Sequence, residues 1–72
     1  MSCLTKVRSA IDAMTTGEKK LAQLLLSDPQ LVLRSSAKEI GESCGVSPAS
    51  VVRFARMLGF DSLRDMKDDL HL

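Results

Sequence analysis

The sequence predicts an all-α protein, a compact bundle of about five helices, and three observations predict it. Apolar residues recur at three- and four-residue spacing along the chain, with no stretch of alternation that would mark a strand. Thr15-x-x-Glu18 and Ser36-x-x-Glu39 are capping boxes, in which a hydroxyl and a carboxylate exchange hydrogen bonds with first-turn amides of a helix. Gly45-Val46-Ser47-Pro48 places a residue tolerant of positive φ before an N-cap and a proline at the first helical position, the signature of a tight turn between two helices.

Leu4, Val7, Ile11 and Met14 define the first helix. Their spacing could also serve a coiled-coil seam, but it spans barely two heptads, and packing into the molecule's own core is the preferred reading. The second helix runs from about Thr16 to Ser27, with Leu21, Ala22, Leu24, Leu25 and Leu26 forming a wide apolar stripe, and Pro29 after Asp28 marks its end. A short helical turn is predicted around Leu31 to Leu33. Ser36 opens the next helix, which turns Ile40 and Cys44 inward and uses Gly41 to leave room for a crossing helix.

A helix of about 48–58 follows, with Val51, Phe54, Ala55 and Leu58 on its buried stripe. Gly59 is expected to close it, and Asp61 to cap a last helix carrying Leu63, Met66 and Leu70, with Phe60 packed across the junction. Ala37 to Arg56 therefore reads as a helix-turn-helix within a homeodomain-like three-helix core. With no internal repeat, low-complexity stretch or long linker, residues 1–72 read as one domain.

At about 100° per residue, the buried stripe leaves Ala49, Arg53 and Arg56 facing outward. No acidic residue occurs between Ser47 and Gly59. Small side chains where a backbone must come close, followed by arginines that can reach guanine edges or phosphates, suit a helix entering the major groove of double-stranded DNA. Ser36 and Lys38 stand at the start of the preceding helix, whose N-terminus attracts anions, and are candidates for phosphate contact. Lys19 and Lys20 read as a solvated face, while Arg64 and Lys67 divide evenly between phosphate contact and solubility. The rival reading is a protein-interaction module without DNA binding. Such a face would need large apolar or aromatic anchors, and this one offers only Val52 and Met57 at its flanks.

Composition limits the other classes. The 72 residues are 44% apolar, enough for a single core, but Phe54 and Phe60 are the only aromatic residues. The formal charge of +1 means that a locally cationic face, rather than the whole molecule, must direct any contact with nucleic acid. No segment has the apolar length of a membrane span or a signal peptide, which points to a soluble, cytoplasmic protein. Cys3 and Cys44 make no convincing disulfide framework, and with His71 as the one histidine neither a metal site nor a catalytic constellation can be assembled. The chain is expected to be no enzyme and to need no cofactor.

The run VSPASVVRFARMLGFDSLRDMK resembles the signature of the phosphosugar-responsive bacterial regulators called the RpiR family, and TTGEKKLAQLLLSDP looks like that family's second helix and stop. The resemblance covers about Leu4 to Leu70. It departs at Gly41, where alanine is usual, at Ser50, where threonine is common, and at Ser62-Leu63, where glycine and an aromatic often occur. It implies the N-terminal DNA-binding domain of a bacterial transcription factor that binds operator DNA as a homodimer or higher homo-oligomer. It also implies a sugar isomerase-like C-terminal domain, absent from these 72 residues, that senses a phosphosugar effector. Carried onto matching positions, the resemblance marks Ser47, Ser50 and Arg53 for DNA contact, while Ala49 and Arg56 rest on the helical-face argument.

Overall fold

The computed structural model describes residues 3–70, so His71 lies outside the described residues. The helices are α1 (Cys3–Ala10), α2 (Thr16–Ser27), α3 (Pro29–Arg34), α4 (Ala37–Cys44), α5 (Pro48–Met57) and α6 (Leu63–Leu70), with a 3-10 turn at Ile11–Ala13 and no strand among the described residues.

The helix starts follow from local chemistry. Thr15 Oγ1 accepts a hydrogen bond from the Glu18 amide at 3.3 Å, and Glu18 Oε1 accepts one from the Thr15 amide at 2.9 Å. Ser36 and Glu39 repeat the exchange at the start of α4, at 3.1 and 2.9 Å. Each box supplies partners for two groups that a helix N-terminus leaves open. Between α4 and α5, Gly45 adopts φ 71°, a left-handed conformation that costs a residue with Cβ more. The amides of Gly45 and Val46 both return to the Gly41 carbonyl. At the end of α5, the Gly59 amide reaches the Arg56 carbonyl and the Phe60 amide the Ala55 carbonyl, a Schellman closure.

Packing corrects three expectations and extends a fourth. The first helix stops at Ala10 instead of continuing through Met14, because Met14 must be extended (ψ 152°) to lead into the Thr15 cap. The short turn expected around Leu31 to Leu33 is a full helix, which makes six among the described residues, because Pro29 does more than end α2. It occupies the first turn of α3, while the Asp28 carboxylate accepts from the Leu31 amide at 3.2 Å. Ser62, not Asp61, caps α6, its Oγ accepting from the Asp65 amide at 3.2 Å. Finally, Gly41 makes room for the turn rather than for the body of α5, since a Cβ there would stand 2.6 Å from the Val46 carbonyl oxygen.

The core joins Val7, Leu21, Ala22, Leu25, Val32, Ile40, Val51, Phe54, Ala55 and Met66, with Cys3, Met14, Cys44 and Leu58 also buried. Val7 is fully covered and Leu4 and Ile11 are half-buried against the core, which places the first apolar stripe in the molecule's own interior. Both cysteines are free thiols. No buried side-chain nitrogen or oxygen among the described residues lacks a hydrogen-bond partner, as a well-formed core requires. Two contacts tie α6 to the rest of the molecule and a third ties the connection before it to α1. The Cys3 amide donates to the Asp69 carboxylate, Lys67 Nζ donates to the Ser35 carbonyl, and Lys6 Nζ lies 4.5 Å from the Phe60 ring centre.

Candidate nucleic-acid interface

Burial of Val51, Phe54, Ala55 and Leu58 against the core fixes which side of α5 remains outside. Ala49, Arg53 and Arg56 are all exposed, and no other segment among the described residues covers either arginine. The side chains nevertheless diverge. Arg53 Nη2 donates to Ser50 Oγ at 3.1 Å and so bends toward the start of α5, whereas Arg56 Nε donates to the Asp61 carbonyl at 3.3 Å and bends toward its end. The outward face is therefore a cationic strip with one guanidinium directed to each end.

Ser47 and Ser50 belong to the same hydrogen-bonded chain. Ser47 Oγ accepts from the Ser50 amide at 3.2 Å and lies 3.0 Å from Ser50 Oγ. Each oxygen thus already has an internal partner. The first turn of α5 contains no carboxylate, in contrast to α2 and α4, whose first turns hold Glu18 and Glu39. A helix start free of acidic side chains leaves its positive dipole end open toward phosphate.

Ser36 and Lys38 occupy a separate position, at the opposite end of α4 from the turn. Eight residues of helix put roughly 12 Å between those ends. Both residues are exposed, but the Ser36 amide is given to Glu39 and its Oγ accepts from the Glu39 amide. The Glu39 carboxyl is held below the usual range, first by the Ser36 backbone hydrogen bond and then by the Ser36 hydroxyl. That fixed negative charge opposes the anion attraction expected of this helix start. Lys67 leaves the phosphate candidates, because its ammonium is directed at the Ser35 carbonyl and ties α6 to the α3–α4 junction. Arg64 remains exposed.

Sequence spacing misses one neighbour of the strip. Thr15, Gly17 and Glu18 at the start of α2 line a cleft of about 160 Å³ with Ser50 and Arg53. The capping box locates the start of α2, but nothing in residue spacing brings residue 18 beside residue 53; the packing of α2 on α5 does. Among the described residues no group of three or more His, Cys, Asp or Glu side chains could hold a metal ion, and no helix is long and apolar enough to cross a membrane.

Known proteins are similar to this chain in sequence and in fold. An uncharacterized HTH-type transcriptional regulator of Thermotoga maritima is 38% identical over 68 residues, covering 93% of this chain and 24% of the relative. One of Haemophilus influenzae is 36% identical over 69 residues, covering 96% of this chain and 24% of the relative. The chain spans about a quarter of the length of these curated relatives. The solved N-terminal domain of the regulator ybbH from Bacillus subtilis superposes with a TM-score of 0.88 at 28% identity, covering 96% of this chain and 84% of that one. The family described as "Helix-turn-helix domain, rpiR family" matches residues 1–71, and the chain belongs to that family.

Proposed function

We propose that α5 enters the major groove of an operator and that Arg53 and Arg56 reach base edges or phosphates from its exposed face. Ala49 lets the backbone approach, and Ser47, with the open first turn of α5, faces a phosphate. Ser50 belongs to the same contact strip. Ser36 and Lys38 supply an outlying phosphate contact, weakened by Glu39. The observation that carries this reading is the exposure of Ala49, Arg53 and Arg56 on a helix face without acidic side chains. The rival protein-docking reading is disfavoured because Met57, 46% exposed, is the one large hydrophobic residue left open among the described residues.

Residues 1–72 act as one binding domain without chemistry of their own. In the whole protein, two copies engage a palindromic site, since one recognition helix contacts only a few base pairs. Family membership and the resemblance in the recognition segment support a role in carbohydrate metabolism in the bacterial cytoplasm, with a phosphosugar effector bound outside these residues.

Titration of the chain against a randomised duplex pool at two salt concentrations, followed by sequencing of the bound fraction, tests the proposal. Log affinity should fall linearly with log salt, and the enriched sequences should share a half-site. Arg53→Ala with Arg56→Ala should erase base preference, at about 1–3 kcal/mol for each good bidentate contact. Unchanged preference in the double variant would overturn the assignment.

A further inference from the structure

We propose that Ser50 is a positioning residue, whose hydroxyl holds Arg53 in the orientation that reads a guanine; this rests on the DNA-reading function proposed above. Arginine has many rotamers, and ordering it on binding reduces the return from each contact it makes. Here Arg53 Nη2 already donates to Ser50 Oγ at 3.1 Å, and Ser50 Oγ lies 3.0 Å from Ser47 Oγ. Ser47 is in turn fixed as the N-cap of α5 by the Ser50 amide.

The guanidinium is therefore tied through two hydroxyls to the rigid start of its own helix. Residues three apart on a helix are neighbours, so the link needs no support from elsewhere in the fold. Arg56 has no equivalent, since its Nε meets a backbone carbonyl in the α5–α6 connection at 3.3 Å. The two arginines accordingly take different parts. Arg53 is tied to the start of the recognition helix and discriminates, whereas Arg56 is tied to the α5–α6 connection and mainly adds affinity.

The cleft beside Arg53 sharpens the consequence. Glu18 lines it from the α2 side, and a carboxylate is a stronger partner for guanidinium than a hydroxyl. With the Ser50 hydroxyl removed, Arg53 loses its tie to the start of α5, and Glu18, whose Oε1 accepts from the Thr15 amide, is the carboxylate bordering the same cleft.

Two measurements on the 72-residue chain test this. In the free chain, ¹⁵N relaxation of Arg53 Nε should show an ordered side chain that becomes mobile or reoriented in Ser50→Ala and stays ordered in Ser50→Thr, with Arg56 Nε unaffected. Ser50→Ala retains the backbone half of the Ser47 cap, so the helix start survives. In the randomised duplex pool, Ser50→Ala should lower guanine preference at one half-site position about fivefold without changing the salt slope. Ser50→Thr should preserve that preference, and Ser50→Ala added to Arg53→Ala should cause no further loss of guanine preference at that position.

Unchanged Arg53 relaxation in Ser50→Ala, or an equal loss of preference with and without Arg53, overturns the positioning role and leaves DNA reading intact. If the unsubstituted chain enriches no sequence at all, the DNA-reading proposal fails and this inference fails with it.

Discussion

Gly41 and Val46 approach so closely that a Cβ on Gly41 would stand 2.6 Å from the Val46 carbonyl oxygen and 3.3 Å from the Ser47 carbonyl carbon. The obstacle is backbone, which cannot swing aside as a flexible side chain would. The start of α5 thus depends on a missing methyl group in α4. Gly41→Ala should destabilise the domain by about 1–3 kcal/mol, the usual cost of overpacking, although alanine has the better helix propensity. Urea denaturation checks the sign, and a stabilised variant would show that the turn can shift at little cost.

Lys67 and Arg64 separate structural from electrostatic roles on α6. Lys67→Met removes the hydrogen bond to the Ser35 carbonyl and should cost about 1–2 kcal/mol, within the range for hydrogen bonds involving a charged group and reduced by partial exposure. It should leave the salt dependence of DNA binding unchanged. Arg64→Ala should leave stability within about 0.5 kcal/mol, as for an exposed side chain without a structural partner. Denaturation midpoints and salt slopes, measured together, distinguish the two outcomes.

The Ser36–Glu39 box has a pH signature. Glu39 is held below its ordinary pKa of 4.5 in the folded chain, so its stabilising contribution is present above about pH 4.5 and is lost as pH falls through the depressed folded value. Glu39→Gln should flatten that part of the acid stability profile. Ser36→Ala should cost about 1 kcal/mol near neutral pH, as expected when an N-cap hydroxyl is removed. Thermal unfolding at a series of pH values from 3 to 7 measures both effects.

The cysteines report on folding at the alkaline end. Burial pushes the Cys3 thiol up to about 11, with Asp69 adding to the rise and Lys6 opposing it; burial also raises Cys44, against the pull of Lys20. A raised folded pKa means that the contribution from Cys3 is complete below about pH 9 and declines as pH rises toward 11. A disulfide-exchange reagent at neutral pH should therefore label neither thiol at the rate of a free cysteine. Labelling should follow unfolding instead, and Cys3→Ala should reduce the alkaline loss of stability.

Much of the helix-turn-helix is legible in the sequence because its determinants act over three or four residues. The hydroxyl and carboxylate of each capping box meet within one turn, Gly45 takes positive φ at the turn that spacing assigns to it, and the α5 stripe follows from 3.6-residue periodicity. The same range explains the errors. Asp61 and Ser62 are adjacent residues that are both good caps, and no local pattern distinguishes them; in the fold Ser62 takes the role. Met14 continues an apolar stripe that the chain abandons so that Thr15 can begin α2.

Residue order alone determined the all-helical character, the two boxed helix starts and the turn at Gly45, because each depends on dihedral preference or on hydrogen bonds between near neighbours, and the apolar period of α5 marked the side that packing leaves uncovered. Tertiary packing decided that Lys67 serves the Ser35 carbonyl rather than solvent, that the Cys3 amide meets Asp69, and that Glu18 borders the cleft beside Arg53. Those partners lie 32 or more positions apart, and only the mutual burial of several helices brings such distant groups within reach.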